Sequence, residues 1–162
     1  MVDEPIIEQA PINVRLAQKD TYRILVMDSV ENANLLKEAC KDVGFSVAAA
    51  HTIKEAFAFL DGENHADVII CAAYLEDESL FEFLKRLRLD PLHEDTMFCA
   101  LALAPGPMGI KVQEYTEKAG RLLGADAFVS MPTFDAHLLI QEIKKLLPSV
   151  PVLEQERREE AP

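Results

Sequence analysis

The sequence predicts a three-layer α/β/α fold around a five-stranded parallel sheet. Three observations predict it. Five short runs, each 4–6 residues long and mostly apolar, lack the in-out alternation of a half-exposed strand, as expected for strands covered on both faces. Segments with helical spacing of apolar residues stand between the runs. The connections are too short for anything but strand-helix-strand crossovers, which are right-handed in such sheets.

The first strand is Arg23 to Met27, ending at Asp28. A helix follows with Leu35, Leu36, Ala39, Cys40 and Val43 on one face, and Gly44 closes it in a left-handed turn. Phe45 to Ala50 forms the second strand. Thr52 with Glu55 three residues later makes a capping box for a second helix that buries Ala56, Phe57 and Leu60. Gly62 to His65 is a turn. Val68 to Cys71 is the central strand, and its following helix carries Leu80, Leu84 and Leu87 until Asp90-Pro91 stops it. Met97 to Leu101 is the fourth strand, and Leu103 to Gly109 is a loop with two prolines and two glycines. A fourth helix spans 110–123 with Ile110, Tyr115, Ala119, Leu122 and Leu123; Ala127 to Ser130 is the fifth strand. Phe134 to Leu147 is the last helix, with Leu139, Ile143, Leu146 and Leu147 inward.

The chain of 162 residues accommodates one such domain over 22–148. Residues 1–21, with Pro5 and Pro11, read as a mobile arm, and 149–162 as an acidic disordered tail. A net charge of −12 opposes binding to nucleic acid, which requires clustered cations. No apolar window approaches the length of a membrane span and no secretory leader opens the chain, so a cytoplasmic protein is expected. Cys40, Cys71 and Cys99 each lie in or beside an apolar run, which predicts buried thiols. His93, Glu94 and Asp95 are consecutive, so their side chains do not converge on one ion, and the segment reads as a solvated connector. No metal or cofactor is expected.

The stretch Asp67 to Arg88, DVIICAAYLEDESLFEFLKRLR, resembles the centre of the response-regulator receiver (CheY-like) domain. Asp67 matches that family's strand-opening acid, and Phe81, Glu82, Phe83 and Leu84 match its helix pattern. Thr96 to Leu101 and the Gly124-Ala125-Asp126 turn also match. The resemblance spans 22–148 and implies a flavodoxin-like strand order 2-1-3-4-5, with the site at the carboxyl ends of the first, third, fourth and fifth strands. There the family places a pair of acids, a phospho-accepting aspartate, a hydroxyl, and a lysine before a proline. In this chain the corresponding positions are Asp28 with Ser29, Ala72, Ala102, and Met131 before Pro132. The resemblance therefore implies a degenerate receiver: a stand-alone, non-enzymatic module of the two-component type, working through protein contacts without aspartate phosphorylation. Asp28 alone is a poor Mg2+ site. Its other role is to satisfy the first N–H groups of the first helix. The expected partners are a histidine kinase or an output protein. A face made by the fourth helix, fifth strand and last helix, with Tyr115, Phe128 and Phe134, is expected to dock a partner or a second copy. Two alternatives stand beside this reading: a displaced phospho-acceptor such as Asp77, and a ligand pocket lined by Ala72, Ala73, Ala102 and Met131.

Overall fold

A computed structural model describes residues 22–62 and 65–147; the expected N-terminal arm and acidic tail lie outside them. Residues 23–147 form one compact unit. Its elements are β1 (Arg23–Met27), α1 (Val30–Asp42), β2 (Ser46–Ala50), α2 (Ile53–Leu60), β3 (Val68–Ala72), α3 (Leu80–Leu89), β4 (Met97–Leu103), α4 (Pro107–Lys111), α5 (Gln113–Leu122), β5 (Ala127–Met131) and α6 (Ala136–Leu146). All strand pairs are parallel and their order is β2-β1-β3-β4-β5, as the resemblance implies.

The sheet separates two cores. One packs α2 and α3 on the sheet through Phe57, Phe83 and Phe98, whose rings meet edge-on at centroid distances of 5.4 and 5.7 Å. The other packs α1 and α6 through Leu36, Cys40, Leu139 and Ile143. β3 is buried along its whole length, which explains its unbroken apolar run. Local signals also hold: Glu55 N–H donates to Thr52 Oγ1 at 3.0 Å, and Glu55 Oε1 accepts from His51 N–H at 2.7 Å. Gly44 ends α1 with φ 94°. α3 stops at Leu89, before Asp90-Pro91.

Three expectations change. On α1, Leu35 and Val43 are exposed, and Ala33 takes the inner position beside Leu36. The fourth helix is two pieces. Pro107 starts a turn at N1, where its missing N–H costs nothing, and Tyr74 pins the backbone at Gly109 before a break at Val112. In α5 the buried positions are Thr116 and Gly120, while Tyr115 and Leu122 face solvent. The last helix starts two residues later than Phe134: Asp135 is its N-cap, accepting from Leu138 N–H at 3.0 Å. The three cysteines are buried and unpaired; burial pushes the Cys40 and Cys99 thiols up to about 12, and Cys71 is also raised.

Candidate functional site

Parallel strands deliver their carboxyl ends to one edge, and the crevice lies where the order turns from β1 to β3. Asp28 follows β1 there. It is only 6% exposed. Its Oδ1 accepts from Ser29 N–H at 2.7 Å and from Asn32 Nδ2 at 3.3 Å, while Oδ2 has no hydrogen-bond partner. Ser29 is the N-cap of α1, its Oγ accepting from Asn32 N–H at 3.2 Å. Asp28 thus supports the helix start from one oxygen and leaves the other buried and unpaired.

Burial raises the Asp28 carboxyl above its ordinary value, and the hydrogen bonds from Ser29 and Asn32 offset this only in part. With the folded carboxyl held above its unfolded value, the folded state binds the proton more tightly, so stability falls as pH rises through the interval between the two. Asp28→Asn keeps an oxygen for Ser29 and Asn32 and removes the charge. It is expected to be about 1 kcal/mol more stable than the parent at pH 7. The advantage is expected to vanish near pH 3, where the parent carboxyl is protonated in both states. Urea melts at the two pH values measure it; an Asn variant no more stable at pH 7 would mean that the second oxygen is solvated after all.

Two hollows meet at Asp28. The larger, about 650 Å3, runs between the start of α1, His51-Thr52 and the loop Tyr74 to Glu78. His51 Nδ1 donates to the Asp28 carbonyl at 2.8 Å, and Glu78 Oε1 accepts from Ile53 N–H at 2.8 Å, capping α2 from the loop after β3. No lysine or arginine lines this cleft among the described residues. The smaller hollow, about 190 Å3, is walled by Asp28, Ala72, Ala102 and Ala104. Of the four residues expected to line a ligand pocket, Ala72 and Ala102 do so; the volume lies below the few hundred Å3 of ordinary small-molecule sites.

Ala72 ends β3, and Ala102 pairs with Ser130 across β4 and β5. Met131 is buried in the core with α1 and α6, and the backbone holds no cis peptide bond among the described residues, so the Met131-Pro132 bond is trans. Tyr74 lies two residues after Ala72. Its hydroxyl donates to the Gly109 carbonyl at 2.9 Å, and a Cβ at Gly109 would sit 3.0 Å from its ring. The long β4 connection is thereby fastened over the edge of the sheet. It begins at Ala104 with φ 47°, an uncommon conformation for a residue with a side chain. Tyr74 and Ser130, whose Oγ donates to Gln113 Oε1 at 3.1 Å, escaped the sequence reading because neither occupies a family motif position.

The expected docking residues are split by the sheet. Tyr115 is 69% exposed and its ring meets Phe81 edge-on at 6.5 Å. Phe128 is half-buried beside the α2–α3 core, and Phe134 packs on the α1–α6 core. Met108, Ile110 and Leu122 are exposed on the same stretch as Tyr115.

No protein-family description matches the sequence, and no characterised protein matches it. Solved structures do. Chemotaxis response regulator CheY4 of Vibrio cholerae superposes with TM-score 0.66 at 23% identity, over 78% of this chain and 99% of that one. A response regulator from Thermotoga maritima gives 0.62 at 25% identity, over 80% and 99%. The receiver domain of the Francisella response regulator 1452 gives 0.59 at 25%, over 77% and 95%. The chain has the receiver fold. Asp28, Ala72, Ala102 and Met131 stand at or beside the carboxyl ends of β1, β3, β4 and β5. No helix among the described residues is long and apolar enough to cross a membrane.

Proposed function

We propose that this chain is a receiver-like signalling module of the two-component type that acts through protein contacts and is not phosphorylated on aspartate. The observation that carries this reading is the composition of the site edge. Transfer of a phosphoryl group needs an in-line carboxylate, a metal to neutralise the phosphate oxygens and a cation to receive charge. At the ends of β3, β4 and β5 stand Ala72, Ala102 and Met131, all buried and all inert. Asp28 is left as a single carboxylate with a raised pKa, which disfavours the charged form that Mg2+ requires. The module is non-enzymatic on this reading. Its partner is a histidine kinase or an output protein, met at the α5–β5–α6 side, where Tyr115 and Leu122 expose apolar surface.

The experiment is incubation of the full chain with Mg2+ and a small acyl phosphate, followed by intact mass. No phosphoryl adduct is expected. A second reading has one observation in its favour: Asp77 lines the same cleft as Asp28. A stoichiometric, Mg2+-dependent adduct lost in Asp77→Asn would establish that reading in place of the first.

A further inference from the structure

At the opposite edge of the sheet, three side chains converge that no part of the receiver reading uses. Asp61 is the C-cap of α2, Asp90 is the C-cap of α3, and His93 ends the 3-10 turn Pro91–His93 before β4. The sequence predicts that His93 lies in a solvated connector with Glu94 and Asp95. Instead His93 is 3% exposed, and its partners are carboxylates 32 and 3 residues away in sequence. Folding of α2 and α3 onto one face of the sheet is what joins them, and no local spacing announces it.

We propose that Asp61, Asp90 and His93 form a site for a zinc-class divalent ion. His93 Nε2 lies 3.1 Å from Asp61 Oδ1 and 3.6 Å from Asp90 Oδ2, and all three atoms fall within 4.8 Å of one another. Ligand atoms at zinc bond lengths in a tetrahedron are roughly 3.3 Å apart, so the two sides that meet at His93 Nε2 already have that spacing to within a few tenths of an ångström, and the Asp61–Asp90 side is at most 4.8 Å. Asp90 is already oriented: its Oδ1 accepts from Leu92 N–H at 3.0 Å, which leaves Oδ2 for the ion. The imidazole has no other polar use, since Nδ1 is buried without a partner. A buried ring whose only polar contact points at two carboxylates is a donor set of one nitrogen and two oxygens. Binding at Nε2 requires the neutral imidazole with its hydrogen on Nδ1: a ring protonated only on Nε2 transfers that proton to Nδ1, and an imidazolium releases its Nε2 proton to solvent. Asp61 and Asp90 also wall an open surface groove of about 410 Å3, so water has access as the fourth ligand. Such an ion would tie the end of α2 to the connector between α3 and β4, independently of the strand ends at the other edge.

Cobalt(II) is the probe, because tetrahedral coordination gives it intense visible bands. The full chain is expected to take up one equivalent with such bands, and Zn2+ is expected to displace it. Asp61→Asn, at a position 55% exposed by side chain, leaves the packing in place and is expected to weaken binding at least about tenfold. His93→Gln is expected to abolish the bands. Absence of tetrahedral bands in the parent overturns the site. Bands of equal strength and affinity in Asp61→Asn overturn it too, because the ion would then be held elsewhere in the chain.

Discussion

Ala72→Asp, which puts a carboxylate where the resemblance to receivers places a phospho-acceptor, is expected to cost about 2–4 kcal/mol of stability at neutral pH. Ala72 is 8% exposed, so the new carboxylate enters a site that offers little water. It also arrives beside a like charge. Met27 pairs with Cys71 across β1 and β3, so the next residues, Asp28 and Ala72, are neighbours across strands about 4.8 Å apart. Two carboxylates that close cannot both ionise cheaply, and Met131 supplies no ammonium between them. Urea denaturation of the variant and its parent measures the loss. Added Mg2+ is expected to return part of it, because two acids make a divalent site that one does not. Acyl phosphate is still expected to leave the mass unchanged, since no hydroxyl or cation stands at Ala102 or Met131. A variant as stable as the parent without Mg2+ would mean that the β3 tip is hydrated.

The legible parts of the sequence were those decided by local chemistry. Period and apolar runs located all five strands to within a residue or two at each end, because parallel strands buried on both faces leave few polar residues to confuse the pattern. Thr52, Gly44 and Asp90-Pro91 marked their helix ends through capping and proline sterics, which act over three or four residues. The strand order followed from the resemblance, not from periodicity. The break at Val112 was not legible, since it depends on Tyr74 reaching across 35 residues to Gly109. Neither was the outward face of α5. Leu122 has the apolar character of a core position, yet α5 turns Thr116 and Gly120 inward, while Tyr115, expected on the docking face, does face solvent. An apolar residue on a helix facing solvent is ordinary when a small residue lets the backbone sit close to the sheet, or when a partner covers it. His93 shows the same limit at the other edge: its surroundings are set by two carboxylates from separate connections.

The same dependence on distant groups governs Arg88, and Arg88→Ala is expected to destabilise the fold by about 3 kcal/mol. Arg88 leaves the last turn of α3 and reaches four acceptors in two connections, α3–β4 and α5–β5. Its Nε donates to the Gly124 carbonyl at 3.1 Å, Nη1 to the Thr96 and His93 carbonyls at 2.7 and 3.4 Å, and Nη2 to Asp126 Oδ2 at 3.0 Å. Asp126 Oδ2 in turn accepts from Phe98 N–H at 2.8 Å, which ties the start of β5 to β4. The stem of Arg88 packs on Gly124, whose φ of 113° already demands glycine; a Cβ there would stand 2.8 Å from Arg88 Cγ. With 21% of the side chain exposed, solvent screens the pairing with Asp126, so most of the loss comes from the carbonyls left without a donor. Arg88→Lys separates the two contributions. An ammonium retains the charge but not the planar fork that serves several acceptors, so the lysine variant is expected to recover less than half of the loss in urea melts. If lysine restored nearly all of it, attraction to Asp126 and not the fork geometry would be what joins α3 to the starts of β4 and β5.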